Sequence, residues 1–296
     1  MAGFTAKDVS DQKGKSFLVT GANAGLGFET ARVLAGRGGH VILACRDKGK
    51  ADAAMARIAG ETPKAKLGFL PLDLADLEAV KAAADELLAG PKIDVLINNA
   101  GVMIPPRTLT AQGFELQWGV NHLGTFAFTG LVHGHVKGRI VLTSSIAHKS
   151  GRMDYSDLGA KRSYVRWQRY ANSKLANLLH MKELDRRLRA AGRKTIAAGC
   201  HPGVAATELS RHVPLAGLFA PLTALVLNSA ADGAWPTLQA AVDPAAEGGD
   251  YFGPQGIGEA RGSSGKASTT RTARDEGVAR ELWERSVELT GVDPGI

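Results

Sequence analysis

Short apolar runs at 16–20, 40–44, 66–70, 93–97, 139–143, 195–200 and near 250–252 alternate along the chain with stretches of helical periodicity at 26–37, 48–59, 77–88, 111–133, 169–191 and 233–241. Regular alternation of this kind is the signature of a parallel sheet flanked by helices. It predicts an α/β fold, a doubly wound seven-stranded parallel sheet with helices on both faces, in a single domain. Parallel strands joined through helices need right-handed crossovers, which place the ligand crevice at the strands' C-terminal ends. The 296 residues, 44% of them hydrophobic, suffice for one sizeable core.

Composition narrows the setting. No run approaches the roughly 20 apolar residues that a membrane helix needs. The longest candidate, 213–227, is broken by Pro214 and Pro221, so no integral membrane segment is expected. The N-terminal stretch through Lys15 is polar and lacks the apolar centre of a secretion signal, which predicts a cytoplasmic protein. Cys45 and Cys200 stand in apolar strand-like surroundings and read as buried thiols rather than as a disulfide or a metal site. A formal charge of +7 could serve nucleic acid, but the basic residues are interleaved with acids, as in Lys182-Glu183-Leu184-Asp185-Arg186-Arg187. That is the pattern of a solvated helix face, and no nucleic-acid partner is expected. Neither is a metal, because His133-Gly134-His135 has no acidic or cysteine partner nearby in sequence.

Three segments depart from the strand–helix rhythm. Residues 146–168 carry Lys149, Arg152, Lys161, Arg162 and Arg166 and read as a long surface loop. Residues 204–229 are mostly Ala, Leu, Val, Phe and Pro, and suit a lid over a greasy substrate, a core helix pair or a contact within a homodimer or homotetramer. Residues 256–270, rich in Gly, Ser and Thr, predict a mobile loop. The organisation expected is an N-terminal extension at 1–14, the main domain at 15–255, and a C-terminal extension at 256–296 consisting of that loop and a helix.

Two clusters carry chemistry. After the first predicted strand comes Thr20-Gly21-Ala22-Asn23-Ala24-Gly25-Leu26-Gly27. Gly21, Gly25 and Gly27 keep side chains out of a turn whose backbone N–H groups and following helix N-terminus can face a pyrophosphate. Further on, Tyr170 and Lys174 sit four positions apart in Tyr170-Ala171-Asn172-Ser173-Lys174. On a helix they share a face, where the ammonium could favour the ionised phenol. Together the clusters point to hydride chemistry on a carbonyl or alcohol.

These motifs, with Asp73-Leu74, Asn98-Asn99-Ala100-Gly101, Asn121, Ser144-Ser145 and His201-Pro202-Gly203, occur in an order that resembles the compact branch of the short-chain dehydrogenase/reductase family, from about Lys15 to Phe252. Ala44-Cys45-Arg46-Asp47, Val120-Asn121-His122-Leu123-Gly124 and Ser145-Ile146-Ala147-His148 look like its retinol-dehydrogenase-like and WW-domain-oxidoreductase-like subgroup. The resemblance implies a Rossmann fold and a small lipophilic aldehyde, ketone or alcohol as substrate. It implies Tyr170 as the catalytic acid or base, Lys174 as its tuner and a ribose contact, Ser145 (with Ser144 as fallback) as the group aimed at the substrate oxygen, and Asn121 as holder of a water linked to the lysine. For the cofactor it implies Gly21, Asn23, Gly25, Leu26 and Gly27 at the phosphates and Asp73 and Leu74 at the adenine. Beside these stand Asn99, Ala100 and Gly101, with Tyr170, Lys174, Pro202, Gly203 and Thr207 nearer the nicotinamide. Small family members separate serine from tyrosine by about a dozen residues. Here the interval is 25, an insertion that coincides with the basic loop.

Cofactor choice turns on charge at the end of the second strand, where an NAD-selective site places a carboxylate. Here Cys45 holds that place and Arg46 follows, a planar guanidinium suited to a 2′-phosphate, with Asp47 diluting the effect. NADP(H) is the expected cofactor, ahead of NAD(H). The alternative is a dinucleotide-binding redox sensor that does no chemistry, for which Ser145, Tyr170 and Lys174 would be dispensable. A sugar-nucleotide enzyme of the family's extended branch would space the glycines differently.

Overall fold

The computed structural model describes residues 3–204 and 228–296. Strands β1 (Ser16–Thr20), β2 (His40–Cys45), β3 (Lys66–Pro71), β4 (Ile93–Asn98), β5 (Val136–Thr143), β6 (Ile196–Cys200), β7 (Tyr251–Pro254) and β8 (Ser264–Lys266) form one sheet in the order β3-β2-β1-β4-β5-β6-β7-β8. The order reverses between β1 and β4, which opens a crevice at their C-terminal ends. Strand register brings Thr20 level with Ala44, Asn98 with Leu142, and Thr143 with Cys200, so the segments leaving these strands meet at one edge.

Alternation along the strands sorts side chains into two cores. Phe17, Val19, Val95, Ile97, Val141 and Ala198 face one side, where α1 (Gly25–Gly36) supplies Phe28, Ala31 and Leu34. The same side receives Ala54 and Ile58 of α2 (Lys48–Glu61). Leu18, Leu96, Ile140, Leu142 and Ala197 face the other side, covered by α3 (Leu77–Leu88), by α4 (Leu116–Trp118) with α5 (Thr125–Val132), and by α6 (Arg166–Ala190). Two short helices, α7 (Ala230–Gly233) and α8 (Trp235–Val242), close the first side, while α9 (Glu276–Thr290) adds Leu282 and Trp283 to the second. Each large side chain so buried contributes roughly 1.5–3 kcal/mol. Cys45 and Cys200 are buried free thiols. Among the described residues no helix is long and apolar enough to cross a membrane.

The sheet has eight strands rather than seven, and the eighth runs antiparallel to β7, pairing Phe252 with Lys266 and Pro254 with Ser264. It lies within the segment expected to be a mobile loop. Its Gly- and Ser-rich sequence carries no apolar alternation; main-chain pairing alone forms it, including Phe4 exchanging both hydrogen bonds with Ser264 at 2.8 Å. The predicted helix at 111–133 also starts later. Gly113 takes φ +84°, and the Glu115 carboxylate then caps α4 by accepting the N–H groups of Gln117 (2.9 Å) and Trp118 (3.1 Å). A π-helical stretch, Gly119–Gly124, joins α4 to α5. The loop after β5 is partly ordered by a 3-10 turn at Ile146–Ser150, and α6 begins at Arg166.

Candidate active site

The turn after β1 is built for close approach. Gly21 (φ +67°) and Gly25 (φ +55°) are left-handed, and a Cβ on Gly27 would stand 2.5 Å from both the Gly21 carbonyl oxygen and Asn99 Nδ2. Only glycine fits all three positions without strain. Ala24, the residue preceding α1, offers no side chain to cap the helix, which leaves its first-turn N–H groups without a side-chain cap. An uncapped, side-chain-free helix start fits a diphosphate. From the far side, Asn99 Nδ2 donates to the Thr20 carbonyl (2.9 Å) while the Thr20 hydroxyl accepts the N–H groups of Asn99 (3.0 Å) and Ala100 (2.9 Å). Asn98 instead donates to the Thr129 hydroxyl at 2.9 Å, which ties β4 to α5.

At the end of β2, Arg46 is exposed and makes no hydrogen bond or ion pair among the described residues. Asp47 is committed elsewhere, since its carboxylate caps α2 by accepting the Lys50 N–H at 3.0 Å. Following β3, the Asp73 carboxylate accepts the Ala75 N–H at 2.9 Å, and Leu74 is buried against the close approach of Gly124.

Tyr170, Lys174, Ser145 and Asn121 converge from α6, the β5 end and the π-helical stretch. Lys174 Nζ donates to the Thr143 carbonyl at 3.2 Å and lies 5.7 Å from the Tyr170 ring centre. Asn121 Oδ1 accepts the Val102 N–H (2.7 Å), while its Nδ2 donates to the Val102 carbonyl (2.9 Å) and to the Ser173 hydroxyl (3.0 Å). A Cβ on Gly101 would be 3.2 Å from both Asn121 Oδ1 and Lys174 Nζ, so this glycine brings the loop after β4 against the pair. The two serines separate cleanly. Ser144 donates to the Lys174 carbonyl at 2.6 Å and is occupied in fixing α6. Ser145 caps the 3-10 turn by accepting the Ala147 N–H (3.2 Å), and its hydroxyl is near enough to the Tyr170 phenol to ease the phenol's pKa downward.

Burial governs the electrostatics. Tyr170 is 6% exposed and Lys174 3%. Burial pushes the phenol up to about 12, eased downward by the Ser145 hydroxyl, and pulls the ammonium down to about 8. In the protein alone, therefore, the ammonium does not lower the phenol's pKa as the helical spacing suggested. Both groups are buried, and desolvation disfavours the charged form of each.

Past β6, His201 Nδ1 accepts the Gly203 N–H at 3.2 Å, and Gly203 takes φ +72° beneath the Ala260 carbonyl. The chain leaves at Val204 and returns at Asn228, whose N–H donates to the Val204 carbonyl (2.9 Å) and whose Nδ2 donates to the Pro202 carbonyl (3.1 Å). Thr207 and the apolar segment read as a lid lie outside the described residues. His133 and His135 hold two separate carbonyls, those of Pro294 and Gly90.

Residues 15–215 match the family model described as short chain dehydrogenase. The chain belongs to the short-chain dehydrogenase/reductase family. Within it the chain is similar to retinol dehydrogenase 13 of Homo sapiens, 42% identical over 294 residues that span 95% of this chain and 86% of that protein. A crystal structure of a protein from Mycobacterium paratuberculosis superposes with a TM-score of 0.85 at 39% identity, covering 100% of both chains. Another, of a protein described as an NAD(P)-dependent gluconate 5-dehydrogenase from Beutenbergia cavernae with bound NADP, gives 0.62 at 25% identity over 81% of this chain and 94% of that one. As a member of this family the chain is a retinol-dehydrogenase-like oxidoreductase that works with a nicotinamide dinucleotide.

Two residues that hold this short-chain dehydrogenase/reductase site together were not singled out by their sequence positions. Thr20 organises the loop after β4 through its hydroxyl, and Ser173 orients Asn121. Both lie inside motifs quoted for other members. Threonine at a strand end and serine inside a helix are too common to stand out without the contacts.

Proposed function

We propose that this protein transfers hydride between NADP(H) and a small lipophilic aldehyde, ketone or alcohol, with Tyr170 moving the proton on the substrate oxygen. The observation that carries this reading is the burial of Ser145, Tyr170 and Lys174 close together, with Gly101 bringing the loop after β4 against Lys174 and the neighbouring Ala100 against Gly21 of the glycine cradle. When bound, the nicotinamide supplies the hydride acceptor or donor. Gly21, Asn23, Gly25, Leu26 and Gly27 would hold its diphosphate, with Asp73, Leu74 and Asn99 to Gly101 lining the path to the nicotinamide end. Ser145 polarises the substrate oxygen, and Tyr170 donates to it in reduction or accepts from it in oxidation. Lys174 holds the ribose and replenishes the proton, and Asn121 orders the route from lysine to solvent.

Preference for NADP(H) rests on the end of β2. Cys45 rather than a carboxylate ends the strand, one Asp47 oxygen is engaged by the Lys50 N–H, and Arg46 is exposed and unpaired among the described residues. Arg46→Ala is expected to weaken NADPH by roughly 1.5–3 kcal/mol, the value of a charged hydrogen bond, and to leave NADH nearly unchanged. Fluorescence titration with both cofactors checks this; equal losses would reduce Arg46 to a surface residue.

A lipophilic substrate is favoured by the retinol dehydrogenase relatives and by apolar surface at the Tyr170 end of α6. Trp167 is 48% exposed with its ring 6.1 Å from that of Tyr170, and Val165 just before it is exposed too. Each methylene buried there contributes about 0.8 kcal/mol, or roughly fourfold in kcat/KM per carbon. The test is NADPH oxidation across aldehydes and ketones of increasing length. A rising series that flattens in Trp167→Ala supports the reading. A flat wild-type series removes the lipophilic preference, and cofactor binding without turnover of any carbonyl or alcohol would favour the sensor.

A further inference from the structure

His148 closes the Ser145-Ile146-Ala147-His148 motif, and the chemistry proposed above gives it no task. Its side chain is 1% exposed. The Ser145 carbonyl accepts two hydrogen bonds from this one residue, from the His148 backbone N–H at 3.0 Å and from the ring Nδ1 at 2.7 Å. A carbonyl oxygen can only accept, so Nδ1 carries the proton and Nε2 is left as a bare acceptor. That Nε2 is buried without a partner. An unpaired buried acceptor is a cost that a phenylalanine ring of similar size would avoid. The imidazole therefore has value for its Nδ1–H rather than for its bulk.

Around it the packing is equally directed. The Tyr251 ring stands perpendicular to the imidazole at 5.6 Å, with its hydroxyl 3.5 Å from Nδ1, and its opposite neighbour is His201 at 5.4 Å. His201 Nε2 faces the Glu259 carboxylate at 3.5 Å, and that carboxylate also accepts from Lys149 Nζ (3.0 Å) and the Ser268 N–H (2.8 Å). The turn that carries Ser145 is thus braced, through Tyr251, against the loop holding Pro202 and Gly203.

We infer that His148 is a positioning residue for Ser145. Its Nδ1–H, together with its own backbone N–H, saturates the Ser145 carbonyl, fixes that peptide plane, and so sets where the Ser145 hydroxyl points. This rests on the reading that Ser145 polarises the substrate oxygen. Rotating that hydroxyl away by about an ångström costs on the order of a hundredfold in rate.

The test compares His148→Phe, which keeps ring bulk and loses the donor, with His148→Asn, whose Nδ2–H stands where Nδ1–H stood. His148→Phe is expected to lower kcat by about tenfold to a hundredfold with the NADPH Kd unchanged, and His148→Asn to recover most of the loss. Combined with Ser145→Ala, the Phe substitution should add little, because both act through the same hydroxyl. Equal losses in the Phe and Asn variants, or full additivity with Ser145→Ala, would overturn the inference. Nitrogen-15 NMR of the imidazole gives a readout independent of turnover: Nδ1 protonated and Nε2 bare is expected, and the opposite tautomer would overturn it. Should Ser145→Ala retain full activity, the catalytic reading fails while the NMR result still reports the His148 bond.

Discussion

Tyr170→Phe is expected to lower kcat by roughly 10²–10⁴-fold, the range spanned by a positioned proton donor, and to leave NADPH affinity nearly unchanged. The ring that packs with Ala147, Ala171 and Met103 stays in place, so only the hydroxyl is removed. Single-turnover kinetics beside a cofactor titration separate the two effects, and retention of more than about a tenth of wild-type turnover would sink the proposed role. The direction of the pKa shift adds a second check. With burial holding the phenol up to about 12, the protonated donor needed for reduction is present throughout the neutral range. Oxidation, which needs the same oxygen as acceptor, should gain rate as pH rises. Loss of reduction on moderate alkalinisation, with Tyr170 intact, would have to come from another group.

Much of this site was legible because its constraints are local. A glycine that must take positive φ, as Gly21 and Gly25 do, leaves its mark at one position, and a tyrosine and lysine one helical turn apart declare a shared face. Strand count failed for the converse reason. β8 has no apolar alternation to betray it and exists because β7 and Phe4 offer free main-chain partners on either side. The π-helical stretch around Asn121 escaped notice as well, since its apolar spacing differs little from an ordinary helix. The partner that occupies Ser144, the Lys174 carbonyl, is 30 positions away in sequence. Most consequential was the balance of charge. Spacing indicates that Lys174 lies near Tyr170, but not that both are nearly dry. Proximity favours the ionised phenol, whereas desolvation opposes it and wins here.

That balance makes Lys174→Met a substitution with opposite effects on activity and stability. In the unfolded chain the amine titrates near its ordinary value of 10.5, whereas burial pulls it down to about 8 in the fold. At neutral pH the folded protein therefore carries a buried ammonium at a cost of about 3 kcal/mol. Methionine fills similar space without charge, and the Thr143 carbonyl keeps a donor in Asn177 Nδ2 at 3.2 Å. After allowance for the lost lysine hydrogen bond, a net gain of about 1–2 kcal/mol is expected, which raises Tm by several degrees. Turnover should fall at least as far as in Tyr170→Phe, and NADPH should bind more weakly because the ribose contact goes too. The pH dependence supplies the signature. Between about 8 and 10.5 the unfolded wild-type chain holds a proton that the folded one has released, so this group makes stability rise with pH across that window. Opposing it, burial raises the Cys45 and Cys200 thiols and, at higher pH, Tyr155, Tyr164, Tyr170 and Tyr251, so that the fold retains protons the unfolded chain loses. Lys174→Met should remove this group's share of the rise, leaving the share of Lys182, which burial also lowers, and keep the fall. Denaturant titrations of both proteins at a series of alkaline pH values measure this directly, and an unchanged rise in the variant would show that Lys174 is not the buried amine responsible.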